Sequence, residues 1–223
     1  GDVNGDGYSD VIAGSPGYNN GQAGEGVAFV YHGSASSISS TPTAIVESNQ
    51  ASSTFGFSVA SAGDVNADGF SDVIVGAAGY DNPQLNEGVA FIYHGSPTGI
   101  NITAAAIVEA DQAGAFFGRS VASAGDVNGD GYSDVIVGAH FYTNGQSQEG
   151  AAFIYHGSPT GINTIAVAMV ESNQDAAAFG HSVASAGDVN GDGYGDVIVG
   201  ADFFANGESN EGAAFVYHGS PTG

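Results

Sequence analysis

The chain is 223 residues long and carries 24 acidic side chains against one basic side chain besides histidine, Arg119, for a formal charge of −23. That balance excludes nucleic-acid binding through phosphates, which needs basic patches. The absence of cysteine excludes disulfides and thiolate metal sites. No stretch reads as a membrane span or a signal peptide, and a start at Gly1 rather than Met is expected of a processed product or a window from a longer protein.

The first element is the phrase Gly-Asp-Val-Asn-Gly-Asp-Gly-Tyr-Ser-Asp, which begins at Gly1 and returns at Gly63, Gly125 and Gly187, a constant step of 62 residues. It sets oxygen-bearing side chains at alternate positions: Asp2, Asn4, Asp6 and Asp10; Asp64, Asn66, Asp68 and Asp72; Asp126, Asn128, Asp130 and Asp134; Asp188, Asn190, Asp192 and Asp196. A hard divalent cation takes about six to eight oxygens, and a tight loop with oxygens at positions 1, 3, 5 and 9 can wrap one. At neutral pH such closely spaced carboxylates repel unless a cation intervenes. The phrase therefore reads as a calcium loop, one per repeat, with up to four ions. Four divalent ions would add eight positive charges and bring the chain from −23 to −15.

An EF-hand would end its loop in a bidentate Glu and lie between helices. Here the twelfth position is Ala13, Val75, Val137 or Val199, and the flanks are short, β-branched and bounded by glycine. The loop is therefore expected in a β-hairpin. In the second repeat, strand A is predicted over Phe55–Ala62, B over Asp72–Gly76, C over Gly88–His94 and D over Ala106–Glu109. Four short strands per unit with no helical period describe a propeller blade. A parallel β-helix is the rival, with shorter rungs and nonapeptide calcium repeats.

Phe-Gly at 55–56, 117–118 and 179–180, then the Asp-rich loop, then Gly-Ala at 76–77, 138–139 and 200–201 (Gly14-Ser15-Pro16 in the first copy), resembles the FG-GAP repeat of integrin α-subunit propellers and bacterial FG-GAP/VCBS-type surface proteins. The resemblance implies an all-β propeller whose loops bind calcium between the first two strands of a blade. It also implies that the backbone carbonyls of Tyr8, Phe70, Tyr132 and Tyr194 complete the coordination. Two departures are that only the first copy keeps the Pro of Gly-Ala-Pro and that Ala67 replaces a loop glycine.

The units run 1–62, 63–124, 125–186 and 187–223, with strand order B-C-D, A-B-C-D twice, then A-B-C. That makes fourteen strands, roughly three and a half blades, expected to belong to a larger propeller or array, or to pair at their open edges with another copy. The loop at Asp2 is expected to bind more weakly than the others, because no strand precedes it.

Four further sets repeat. His32, His94, His156 and His218 are expected to make structural hydrogen bonds. Glu25, Glu87, Glu149 and Glu211 are expected as solvated strand-edge charge. Arg119 stands where the other repeats have Phe57 and His181, and reads as a lone surface or channel-mouth substitution. Between strands B and C the loops vary while keeping an aromatic: Tyr18, Tyr80, Tyr142 and Phe204, with Phe141 and Phe203 beside two of them. These are candidate ligand contacts, or rings packed between blades. The expected function is an extracellular, cell-surface calcium-binding module for adhesion or for a protein or glycan ligand. The alternatives are a self-assembling unit of a surface sheath, fibre or array, and a lectin. No Ser/His/Asp or Cys/His constellation suggests an enzyme, and no membrane insertion is expected.

Overall fold

The computed structural model describes residues 1–223 and is all-β. The first sheet comprises β1 (Val11–Ser15), β2 (Val27–Tyr31) and β3 (Ala44–Glu47). The second comprises β4 (Phe55–Gly63), β5 (Asp72–Ala77), β6 (Val89–Tyr93) and β7 (Ala106–Glu109). The third comprises β8 (Ser120–Gly125), β9 (Asp134–Ala139), β10 (Ala151–Tyr155) and β11 (Ala168–Glu171), and the fourth β12 (Phe179–Gly187), β13 (Asp196–Ala201) and β14 (Ala213–Tyr217). Every sheet is an antiparallel meander in chain order, so each is a blade, of three, four, four and three strands. Strands A to D of the sequence are β4 to β7, and the fourteen expected strands are all present.

The innermost strands β1, β4, β8 and β12 lie side by side, and the core fills the seams between blades. One cluster joins Ala28, Val30 and Val46 of the first blade to Phe55, Val75 and Phe91 of the second. A second joins Ile74 and Ile92 to Val135 and Phe153, and a third joins Ile136 and Ile154 to Phe179 and Val199. A middle strand thus buries both faces, which is why Asp-Val-Ile-Val-Gly-Ala is apolar throughout rather than alternating.

The Phe-Gly and Gly-Ala pairs meet at these seams. The Phe55, Phe117 and Phe179 rings are fully buried against strand-C aromatics of their own blade. Their backbone N–H groups donate across the seam to the carbonyls of Glu25 (3.0 Å), Glu87 (2.7 Å) and Glu149 (2.9 Å). The glycine after each Phe then presses its carbonyl on a strand-B glycine of the preceding blade: Gly56 on Gly14, Gly118 on Gly76, Gly180 on Gly138. A Cβ on Gly14, Gly76 or Gly138 would lie within 3.0 Å of that oxygen.

This seam overturns the reading of the repeated glutamates. Glu25, Glu87 and Glu149 are 0% exposed, because the next Phe-Gly strand covers them. Their carboxylates turn into the B–C loop: Glu149 Oε1 accepts from Asn144 N (2.7 Å) and Gln146 N (3.3 Å), and Glu25 Oε1 accepts from Asn20 N and Gln22 N. Glu211, with no following Phe-Gly to cover it, is exposed. Burial, then the charges of Glu109 and Asp111, pushes the Glu87 carboxyl up to about 7 from the ordinary 4.5. The folded chain thus holds this proton more tightly than the unfolded chain. Stability from Glu87 is full below about 4.5 and is lost as pH rises through about 7. Glu87→Gln should flatten the fall in melting temperature across that window in calcium-saturated buffer. An unchanged slope would rule out Glu87 as its source.

Candidate metal centres

The hairpin loops at 64–71, 126–133 and 188–195 join the first two strands of blades two to four, and residues 1–10 form the same loop ahead of β1. Each loop is wound by its own side chains. Asp2 Oδ1 accepts from Gly5 N (2.7 Å) and Asp6 N (3.2 Å), and Oδ2 from Gly7 N (2.8 Å). Asn4 Oδ1 accepts from Asp6 N (3.1 Å), and Asp6 Oδ1 from Tyr8 N (2.9 Å). The pattern recurs in the other loops, for example with Gly131 N on Asp126 Oδ2 (2.8 Å) and Gly193 N on Asp188 Oδ2 (2.9 Å). The sixth-position glycine has φ between 88° and 93° in all four loops, a backbone that resists side chains.

The ninth-position Asp anchors the loop to the blade. Asp72 Oδ2 accepts from Val65 N and Oδ1 from Gly95 N, both 2.8 Å, and Asp10, Asp134 and Asp196 repeat both bonds. The partner glycine is that of Tyr-His-Gly-Ser, so this motif has a function in building the loop that spacing alone did not reveal. Its histidine adds to it: His32 Nδ1 lies 3.4 Å and His156 Nδ1 3.3 Å from the amide nitrogens of Asn4 and Asn128, and His218 Nδ1 lies 3.3 Å from Asp196 Oδ2. Burial, against the N–H groups of Gly95 and Val65, pushes Asp72 up to about 6, and Asp134 is raised to about 6 in the same way.

The chemistry of the donor set suits a calcium ion, while the structure draws no three of these carboxylates into one metal-holding group. All side-chain donors are hard oxygens, and no arginine or lysine pairs with any of the twelve loop carboxylates; the one ion pair they make is His218 with Asp196. Asp2, Asn4, Asp6, Asp10 and the Tyr8 carbonyl would hold the ion, and their counterparts in the other loops would do likewise. Bound there, it would supply the positive charge that the loop lacks.

Adjacent loops are tied together. Ser71 N donates to Asp2 O (2.8 Å), Ser133 N to Asp64 O (3.0 Å) and Gly195 N to Asp126 O (2.7 Å). The second residue of each tied loop wedges into the seam: Val3 is 2% exposed, and Val65 and Val127 are also buried. In the last loop Val189 is 55% exposed. The loop at Asp2 is thus held against its neighbour as those at Asp64 and Asp126 are, while Val189 of the last loop lies outside any seam. Ala67 holds φ 55°, where Gly5, Gly129 and Gly191 hold 71–75°. Ala67→Gly should remove left-handed strain and raise stability by on the order of 1 kcal/mol. A calorimetric melting temperature that falls or stays constant would contradict this.

The B–C loop aromatics each pack edge-on against the strand-C Phe of their own blade: Tyr18 on Phe29 (5.9 Å), Tyr80 on Phe91 (5.6 Å), Tyr142 on Phe153 (5.2 Å) and Phe204 on Phe215 (5.2 Å). They are spread one per blade, and Tyr18 is 44% exposed. What sequence reading missed lies beside them: His140, Arg119 and His181 form one group, with Arg119 Nη2 3.4 Å from His181 Nε2 and His181 Nδ1 2.9 Å from Asp202 Oδ2. The signal available was variation at 57, 119 and 181 and at 78, 140 and 202 within a nearly constant framework.

The family model described as "FG-GAP repeat" matches residues 1–31, 55–93, 117–155 and 179–217. The chain is 34% identical over 218 residues to Integrin alpha pat-2 of Caenorhabditis briggsae, covering 90% of this chain and 17% of that protein. The Caenorhabditis elegans Integrin alpha pat-2 gives the same identity and coverage. Integrin alpha-5 of Xenopus laevis is 35% identical over 161 residues, covering 68% of this chain and 15% of its own length. The chain thus spans about a sixth of the length of these relatives, and no helix in it is long and apolar enough to cross a membrane. Four blades joined at three seams where a Phe-Gly meets the strand-B glycine of the blade before it, and the family match in all four repeats, place this chain in the FG-GAP repeat family, in the integrin α-like form.

Proposed function

We propose that the chain is a calcium-carrying propeller module that acts outside the cell by binding rather than catalysis, in adhesion or in recognition of a protein or glycan ligand. The observation that carries this reading is the set of four loops, each with three carboxylates and an amide and no arginine or lysine to neutralise them. Similarity to integrin α chains along 90% of the sequence supports the adhesive setting. Calcium is structural here: it fixes the hairpins at one end of the blades, so that the variable B–C loops at the other end present a rigid surface. The test is binding of the purified chain to glycan arrays and to matrix-coated surfaces, with calcium and with a chelator. Binding that requires calcium is expected; calcium-independent binding, or none to either surface, would overturn the reading.

A further inference from the structure

At the end of the blades opposite the calcium loops, a cavity of about 430 Å³ opens between the second and third blades. Its walls include Phe57, Phe116, Arg119, His140, Ser52 and Asn86. Arg119 is the only arginine or lysine in a chain with 24 carboxylates, yet it pairs with none of them: both ion pairs in the molecule involve histidine. Its guanidinium carbon lies over the Phe57 ring, 4.0 Å from the centroid, and the group makes a single hydrogen-bonding contact, to His181. Four of its five donors are left without a protein partner. The same cavity is lined by His140, 8% exposed, its ring tilted 33° to that of Phe141 with centroids 4.0 Å apart and its Nδ1 buried and unpartnered. Burial, then Arg119 and His181, pushes this imidazole down to about 4, so it is neutral at physiological pH.

A cation that no carboxylate pairs and an aromatic wall converge on one cavity large enough for a small ligand. We propose that this cavity binds a sugar acid, with its carboxylate on Arg119, its hydroxyls on Ser52 and Asn86, and its C–H face on the aromatic wall. A single carboxylate is favoured over a polyanion, because the surrounding chain carries a formal −23. The hydroxyl-bearing wall favours a saccharide over a purely aromatic acid. Positions 57, 119 and 181 carry Phe, Arg and His, and 78, 140 and 202 carry Ala, His and Asp, so only the third blade combines Arg119 with His140, and only its seam with the second blade sets Arg119 on the Phe57 ring. This assignment gives a ligand class to the binding-module reading and rests on it.

The test is titration calorimetry of the calcium-loaded chain with D-glucuronate and N-acetylneuraminate, with glucose and benzoate as controls. Arg119→Phe and Arg119→His introduce residues the framework already holds at 57 and 181, so both should fold. Sugar-acid binding that weakens about tenfold or more in both variants, with melting curves unchanged and no binding of glucose, is the expected result. Absence of binding by both sugar acids, equal binding by the variants, or equal binding of benzoate would overturn the assignment. If calcium still binds in those cases, the module reading stands and only the ligand class falls.

Discussion

Stripping calcium should lower the melting temperature of this chain by more than any single substitution. An ion that binds only the folded state stabilises it by about 2.7 kcal/mol per site at a hundredfold excess over Kd. In a domain of this size each kcal/mol is worth about 2–4 °C, so each loop contributes several degrees. The loops hold twelve carboxylates, and removing four ions returns the charge from −15 to −23, which adds self-repulsion across the whole chain. Magnesium should restore little of the loss, because it demands a small octahedron and dehydrates reluctantly. The loss should also be ordered. The Asp188 loop, whose Val189 is not wedged in a seam, should release its ion first. Asp192→Ala should therefore cost less stability than Asp130→Ala. Differential scanning calorimetry across a chelator titration reads both effects. An unchanged melting curve after exhaustive chelation would defeat the calcium assignment, and equal costs at Asp192 and Asp130 would defeat the ordering.

What the sequence showed directly is what is determined within a few residues. Strand D was expected over Ala106–Glu109 and occupies Ala106–Glu109; strand B was expected over Asp72–Gly76 and ends one residue later. Such strands are short, β-branched and bounded by glycine or by the loop, so local chemistry sets their limits. The third inner strand is the exception, starting at Ser120 while its counterparts start at Phe55 and Phe179; the structure gives no physical reason for this. The hydrogen bonds that wind the Asp-rich loops are local for the same reason, running between residues two to seven apart. The glutamates were misread because their burial is imposed by a Phe-Gly strand about 30 residues downstream, in the next blade. A charged residue beside a glycine is solvated unless something covers it, and the covering partner is invisible to a window centred on Glu87. Of the histidines of Tyr-His-Gly-Ser, expected to make structural hydrogen bonds, His32 and His156 reach the Asp-rich loops across 28 residues of chain and His218 reaches Asp196, while His94 Nε2 is buried without a partner. The Arg119 cavity is built across a seam, so no single repeat contains it.

The seam also predicts which small change does the most damage. Gly138→Ala should destabilise the chain by about 3 kcal/mol, combining the cost of overpacking with that of a damaged buried hydrogen bond. The added methyl would enter the space of the Gly180 carbonyl oxygen, within 3.0 Å, and of Ser120 Oγ, which donates to that oxygen at 2.8 Å. Backbone on one side and a hydrogen-bonded hydroxyl on the other leave no flexible group to yield. Separating the blades to make room would also loosen the bond from Phe179 N to Glu149 O at 2.9 Å and uncover Glu149. Gly200→Ala is the internal control, because Gly200 occupies the same strand position in the fourth blade with no Phe-Gly carbonyl against it. There the methyl would meet only the Ser182 side chain hydroxyl within 3.0 Å, which can rotate away. By thermal denaturation in calcium, Gly138→Ala should fall by about 6–12 °C and Gly200→Ala by much less. Equal losses at the two glycines would show that the strand itself, and not the meeting of Phe-Gly with Gly-Ala, requires glycine there.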